Sequence, residues 1–481
     1  AINAEAGCNG SCAITDGDDW EVSTNTRMWD ETIEIDNLNV NFGASLKLEN
    51  VTIQINRHVT LLGETEWLKS NITLVRELIT DNVTVHNELE IVSSKVNIYF
   101  DGNTSDAYGA LHTEGIYLVS GSKLIVSDLD DNSSTKTDAS IIKPIGRNEN
   151  TYPSWYTWCQ HLATWEIIGE ESNTTVVNIK NSILIDIYAA RIYGDYSSFV
   201  GNNVIGCRDI FFYGDNLEYY NNTHNTYELN DTRANVGGAR VYDGENKIIS
   251  GNLFQGGAYG IDSERTTNLT IFNNEFYNLS GNAIWSGADS SQLVITNNTF
   301  VRVATTAWIG NVTNVTFSNN IILNSTSSYY STYISGSDVF IYNNYFTKCN
   351  ARCILFTNLG YSQNENIYVY NNNFSDFSSH ALTIATGTNN HVNITVSDNL
   401  FHNGQIGIAS SIWASYPKLP NNVLINGNIF TNLTTGIQFL SDSLSVKLID
   451  ADDYVIENNV FDDTFSGIGV YGSAIAYENL Q

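Results

Sequence analysis

The sequence predicts an all-β solenoid of short strands stacked in parallel, and three observations predict it. Nine Asn residues, Asn252, Asn274, Asn298, Asn320, Asn344, Asn372, Asn399, Asn428 and Asn459, are each followed two residues later by Phe, once by Ile. The intervals between those partners, from Phe254 to Phe461, run from 22 to 31 residues, the length of one coil rather than of a domain. Short runs before each Asn, such as Leu293-Val294-Ile295 and Ile367-Tyr368-Val369, alternate with period two, and helical periodicity is absent.

Each coil is expected to hold two or three strands. The first precedes the Asn, and a second short apolar run recurs seven or eight residues after the Phe, as in Ala283-Ile284-Trp285 and Gly436-Ile437-Gln438. A sharp bend between strands needs a residue tolerant of left-handed backbone, and Asn is the best choice after Gly, so the nine Asn are assigned to that conformation. Stacking would align their amides in a ladder at the strand spacing of roughly 4.8 Å. At about 25 residues per coil the chain would form a rod on the order of 80 Å long.

Upstream the pattern is looser, and four segments are expected. Residues 1–28 form an N-terminal segment or cap. Residues 29–129 carry short alternating strands, including Leu46 to Ile55, and form narrower opening coils. Residues 130–170, with Trp155, Trp158, Cys159, His161 and Trp165, are too irregular for a coil and form an aromatic side excursion. Residues 171–481 form the main coils.

Composition narrows the setting. A net charge of -30 argues against nucleic acid and anionic membranes as partners and suits contact with salt or divalent cations such as Ca2+; no other cofactor is implied. No run of about 18 apolar residues exists, so no membrane-spanning helix is expected. A start at Ala1 with a single methionine, Met28, implies a removed leader. Six cysteines point to export and to three bridges: Cys8 with Cys12, Cys349 with Cys353, and Cys159 with Cys207. The histidines are scattered, so no metal centre is expected; a zinc site would fit only around Cys159 and His161.

Eighteen Asn-x-Ser/Thr sequons are present: Asn9, Asn50, Asn71, Asn82, Asn103, Asn132, Asn173, Asn221, Asn230, Asn268, Asn278, Asn297, Asn311, Asn314, Asn324, Asn373, Asn393 and Asn432. None is a ladder Asn. Asn268, Asn314 and Asn393 lie eight residues before their Phe or Ile, and Asn278, Asn324 and Asn432 lie two after it, phases expected to be exposed turns carrying covalent N-glycans. An Asn- and Thr-rich β protein also generates sequons by chance.

The recurring Ile-x-Ile-x-Asn-Asn-x-Phe, with Leu for the first Ile in Leu293 to Phe300, resembles the right-handed parallel β-helix repeat of carbohydrate-binding and sugar-hydrolysing proteins, over at least residues 250–470. The run Gly43 to Ile53 is similar to the first coils of secreted archaeal β-helical surface proteins, typically acidic and sequon-rich. The resemblance implies the fold; its enzymes would add an acid pair on one outward face with Gly-His-Gly and Arg-x-Lys nearby, and those two motifs are missing. The Asp pairs at Asp18-Asp19, Asp130-Asp131, Asp452-Asp453 and Asp462-Asp463 read as solvated turn charges.

The best catalytic candidates are Asp243, Asp262, Glu264 and Arg265, near Arg240 and Tyr242; Asp262 and Glu264 flank Ser263, so alternation turns both outward. The bland reading of this stretch is an exposed ion-pair patch. Trp285 and Trp308 fall one and two coils later at nearly the same phase, a candidate platform for a sugar or a partner, or a pair buried under a loop. Three functions follow in order: an extracellular, N-glycosylated structural protein of a cell surface, a subunit of a surface layer, sheath or filament assembling through its ends or faces as a homo-oligomer or polymer; a polysaccharide lyase or glycoside hydrolase; a carbohydrate-binding adhesin.

Overall fold

A computed structural model describes residues 7–12, 14, 17–76, 83–85, 88–92, 94–100, 116–118, 123–127, 141–145, 165–169, 176–185, 187–193, 196–205, 209–225, 238–287, 289–357, 365–386, 392–412, 421–441, 449–450, 454–471 and 475–476. Among these there is no helix, so none is long and apolar enough to cross a membrane. The chain divides into two units, 1–244 and 245–481.

In the first unit every third strand pairs in parallel, giving three sheets. One runs Trp20–Val22, Leu38–Val40, Val59–Leu61, Val83–Val85, Ile116–Leu118, Trp165–Gly169, Ile187–Tyr193, Asp209–Tyr213 and Ala239–Tyr242. Stacking therefore begins at Trp20, inside the segment assigned to a cap. The covering element is Gly7–Asn9, which pairs antiparallel with Thr26–Trp29 and is closed by the Cys8–Cys12 disulfide. Coil length varies in this unit: the N–H of Val51 donates to the Ser70 hydroxyl across 19 residues, whereas Val83 pairs with Ile116 across 33.

The excursion assigned to 130–170 is corrected in part. Ile141–Ile145 pairs with Lys95–Phe100 and Ile183–Ile185, and Trp165–Gly169 pairs with Ile116–Leu118 and Ile187–Tyr193. Both are rungs, because Ile141, Ile142 and Ile145 and the Trp-x-Ile of 165–167 supply apolar strand residues among polar surroundings. Trp155, Trp158, Cys159 and His161 lie outside the described residues, as do Cys207, Asn82, Asn103, Asn132, Asn173, Asn230, Asp130-Asp131 and Asp452-Asp453.

The second unit repeats one coil. A leading sheet (Glu245–Ser250, Thr267–Phe272, Ser291–Thr296 onward), a middle sheet (Leu253–Gln255, Glu275–Tyr277, Thr299–Val301 onward) and a trailing sheet (Ile261–Glu264, Asn282–Ser286 onward) stack in register. Inward rows are apolar, and the partner row stacks ring on ring: Phe254, Phe276 and Phe300 lie 5.0 and 4.8 Å apart between centroids, and Phe374, Phe401 and Phe430 lie 5.0 and 4.9 Å apart. The Cys349–Cys353 bridge closes a bend between middle and trailing sheets.

The nine Asn form the expected ladder. At the bend the coil-to-coil backbone pairing lapses, and each amide replaces it. Asn298 Oδ1 accepts from the backbone N–H of Asn274 at 3.0 Å and from its Nδ2 at 3.0 Å, while Asn298 Nδ2 donates to the Ile271 carbonyl of the preceding coil at 3.0 Å. The same set runs from Asn252 to Asn459, and all but Asn459 are buried.

The backbone assignment of these Asn is corrected. The left-handed residue is the one before: Gly251, Asn273, Asn297, Asn319, Asn343, Asn371, Asp398, Gly427 and Asn458 have φ between 54° and 68°. The two tasks divide, because the residue taking the turn points outward and the amide must point in.

The first unit has amide rungs of the same kind. In the first unit the Ser182 N–H donates to Asn202 Oδ1 at 3.0 Å, and Asn202 donates from its backbone and Nδ2 to Asn222 Oδ1 at 2.9 and 3.1 Å; Ser70 and Ser94 hold the same bend with hydroxyls. The following core residues are Val204 and His224, not Phe, which hid these rungs in the sequence. His224 is fully buried, hydrogen-bonded to the Tyr219 hydroxyl, and burial pushes its pKa down to about 3.

Removing one ladder amide strands a buried N–H and a neighbouring amide, so Asn320→Ala should destabilise the second unit by about 2–4 kcal/mol in urea unfolding, at ~1–3 kcal/mol per orphaned group. Asn319→Gly should be near neutral, whereas Asn319→Ala should cost about 1–2 kcal/mol for the left-handed backbone. For His224 the unfolded state binds the proton and the folded state does not. Stability is thus full above the ordinary pKa of 6.5 and falls as the pH drops toward about 3, by up to about 1.4 kcal/mol per pH unit. His224→Leu should remove this component, read as the difference between wild-type and variant unfolding curves from pH 7.5 to 4.5.

Candidate functional site

The outer face of the trailing sheet gathers the functional candidates of the second unit. Register aligns Asp262, Trp285, Trp308, Tyr333, Leu355 and Thr383 in one row on successive coils. Ser263 is buried and Asp262 and Glu264 are half-buried, so both carboxylates point outward as the alternation requires. Glu264 is held by Arg265 at 3.2 Å in an exposed ion pair, and Arg265 itself takes a left-handed turn with φ 51°. Asp243 falls in the first unit, in the left-handed bend after Ala239–Tyr242, where Arg240 Nη1 donates to the Tyr242 hydroxyl at 3.3 Å. Thus the structure brings together Asp262, Glu264 and Arg265.

The two tryptophans share a row and stack. Trp285 to Trp308 and Trp308 to Tyr333 are both 5.2 Å between centroids, with interplanar angles of 4° and 6°. Gly287 and Gly310 make room, since a Cβ there would lie 2.2 Å from the Trp285 ring and 2.4 Å from the Trp308 ring. Both faces of Trp308 are consequently taken by protein, and a sugar ring cannot stack on it. Tyr333, Leu355, Thr383 and Ala385 point outward yet are buried, so this face is covered in these coils.

A second cluster, passed over in the sequence, borders that row. Tyr330 pairs with Arg352 in register, and Arg352 lies over the Tyr329 ring at 4.9 Å while its Nη1 donates to the Tyr329 carbonyl at 3.2 Å. His380 opens the next strand and shares a hydrogen bond of 3.1 Å with Thr383 Oγ1; burial, and then the nearby Arg352 cation, push its pKa down to about 4. His380 is therefore neutral at pH 7, and the same surroundings that keep it neutral make it a weak base. Burial also raises the Tyr330 and Tyr333 hydroxyls, the latter to about 12, and keeps them protonated. Only the coil register, invisible before the strands were paired, joins residues 22 and 28 positions apart.

Among the described residues no three His, Cys, Asp or Glu side chains are grouped to hold a metal ion. Described sequon residues sit mainly on exposed bends: Asn50, Asn221, Asn268, Asn278, Asn297, Asn314, Asn324, Asn393 and Asn432 are exposed, and all nine have positive φ. Asn71, Asn311 and Asn373 are half-buried, and Asn9 is exposed in the N-terminal strand.

Residues 171–355 match the family described as periplasmic copper-binding protein (NosD), and residues 288–450 match the right-handed β-helix region; neither spans half the chain. No curated protein matches the chain. Among solved structures it is similar to the Azotobacter vinelandii mannuronan C-5 epimerase AlgE4 A-module, at 12% identity over 82% of this chain and 91% of that one, with a TM-score of 0.33. It is also similar to the periplasmic alginate epimerase AlgG, at 11% identity over 93% and 85% with a TM-score of 0.28. The catalytic domain of a GH87 α-1,3-glucanase follows, at 10% over 91% and 64% with a TM-score of 0.24. These likenesses are of fold alone. The fold is an all-β parallel β-helix, and the two disulfides among the described residues are of the kind found outside the cytosol.

If the Trp285, Trp308 and Tyr333 stack is structural, Trp308→Ala should destabilise the second unit by about 2–4 kcal/mol, as truncation of a large packed ring does. A ligand platform would lose binding with little change in the denaturant midpoint.

Proposed function

We propose that this chain is an extracellular, N-glycosylated structural protein of a cell surface, a stiff β-helix whose bends carry glycans. The observation that carries this reading is the placement of sequons on left-handed, exposed bends, while the buried ladder phase is free of them. A left-handed Asn at a tight bend projects its amide into solvent, where a bulky glycan meets least resistance.

Assembly is part of the proposal. The Gly7–Asn9 strand pairs antiparallel on Thr26–Trp29 and so covers the edge of that one sheet of the first unit. In the coil of residues 454–471, Phe461, Ile468 and Val470 continue the core rows of Phe430, Ile437 and Phe439, yet are 37%, 41% and 37% exposed, and Phe465 is 92% exposed. Such an edge suits pairing with another β element.

The second reading is a polysaccharide lyase or hydrolase, and one observation favours it: the His380 imidazole lies near the Arg352 cation on the trailing sheet, a pairing of the groups that such chemistry uses. Against it, the Glu264 carboxylate is taken up by Arg265, and the Trp308 faces are closed.

The native protein should be isolated as an oligomer or polymer bearing glycans at the bend sequons, read by light scattering and glycopeptide mass spectrometry. A bare monomer that depolymerises an acidic polysaccharide, and loses that activity in His380→Ala, would replace the structural reading with the enzymatic one.

A further inference from the structure

Along the second unit, the left-handed bend residues stack into outward rows, one per bend. One row, at the entry to the leading sheet, runs Asn246, Asn268, Gln292, Asn314, Asp338, Asn366, Asn393 and Asn422. Neighbours in it touch: Nδ2 of Asn268 donates to Asn246 Oδ1 at 2.7 Å, Asn366 to Asp338 at 2.8 Å, and Asn393 to Asn366 at 3.0 Å. Another, after the middle sheet, runs Asn278, Arg302, Asn324, Lys348, Asp376, Asn403, Asn432 and Asp463, with Asn432 donating to Asn403 Oδ1 at 2.8 Å.

Sequons in these rows never occupy consecutive coils. In the first row they are Asn268, Asn314 and Asn393, and in the second Asn278, Asn324 and Asn432. Four further Asn stand one coil from a sequon: Asn246, Asn366, Asn403 and Asn422. Each lacks the Ser or Thr two residues on, having Ile248, Tyr368, Gln405 and Leu424 instead. In the first row the sequon Thr, at Thr270, Thr316 and Thr395, shares the outward row of the leading sheet with Ile248, Val294, Phe340, Tyr368 and Leu424 on the intervening coils.

The physical reason is the rung. Consecutive coils are roughly 4.8 Å apart, less than the width of a hydrated sugar ring. Two glycans on touching amides would overlap, whereas two coils give each its own room.

We infer that the bend rows are spaced acceptor sites for an N-linked oligosaccharide, with at most one occupied amide on any two consecutive coils of a row; this rests on the glycoprotein reading above. In the transfer, Nδ2 forms a bond to C1 of a polyprenyl-phosphate-linked oligosaccharide as the C1–O bond breaks, and the proton lost from Nδ2 is balanced by the released polyprenyl phosphate, which can take it up. Spacing then acts at transfer to the folded bend, or at folding if transfer comes first.

The test makes Asn403 a sequon beside Asn432. Gln405→Thr does so at an exposed position, and Gln405→Thr with Thr434→Ala leaves Asn403 as the acceptor of that pair. The full chain, secreted from an N-glycosylating host and taken as the folded, monodisperse fraction, is read by glycopeptide mass spectrometry spanning both sites. Gln405→Thr should carry one glycan per molecule across the pair, and the double variant should carry it at Asn403. Both amides occupied in the same folded molecule would overturn the spacing rule while leaving the glycoprotein reading intact. An empty Asn403 in the double variant would also overturn it, since Asn403 would then be no acceptor at all. No glycan at Asn432 in the wild type would overturn the underlying reading and the rule with it.

Discussion

The hydrogen-bond ladder of inward Asn amides is the constraint on which the second unit depends. A coil must turn sharply between strands, and a turn breaks the coil-to-coil backbone pairing just where the chain is close to the core. Each amide repairs one break by accepting the N–H of the preceding coil and donating to its carbonyl. Because every amide is both donor and acceptor, one misplaced rung leaves two neighbours unsatisfied, and register is fixed from Asn252 to Asn459. Phe stacking two residues on then fills the space beside the bend.

From that constraint the surface follows. With the amide turned in, the residue before it takes the left-handed backbone and faces water, and other bends in the coil repeat the device. Outward rows of polar residues, mostly Asn and Asp, result, with several neighbours touching from coil to coil. Their Asn content serves the turn first; the pattern of Ser and Thr two residues later is a separate layer of information, and it is that layer which carries the proposed glycan spacing.

Much of the fold was legible because a solenoid repeats its physics: Asn-x-Phe, period-two runs and the gap to the next apolar run each recur. The trailing-sheet phase of Trp285 and Trp308 was likewise readable. What failed has definite causes. The ladder amides were credited with the left-handed turn because Asn suits both roles, and only backbone angles separate Asn319 from Asn320. Asn202 and Asn222 were missed because Val204 and His224 replace Phe in the core row. Ile141–Ile145 and Trp165–Gly169 were missed as rungs because long insertions separate them from their partners. In the site, outward direction was correct for Asp262 and Glu264, but the closure of both Trp308 faces depends on ring stacking between coils, and the Arg352 and His380 cluster on register.

Hydrogen exchange at the ladder amides tests the central claim most directly. Backbone N–H groups of Asn274 through Asn399 donate to side chains rather than to backbone carbonyls, so nothing but the ladder protects them. They should exchange only through unfolding of the whole second unit, with the same protection as the leading-sheet strands. Exchange at these positions orders of magnitude faster than in the adjoining strands would contradict the account.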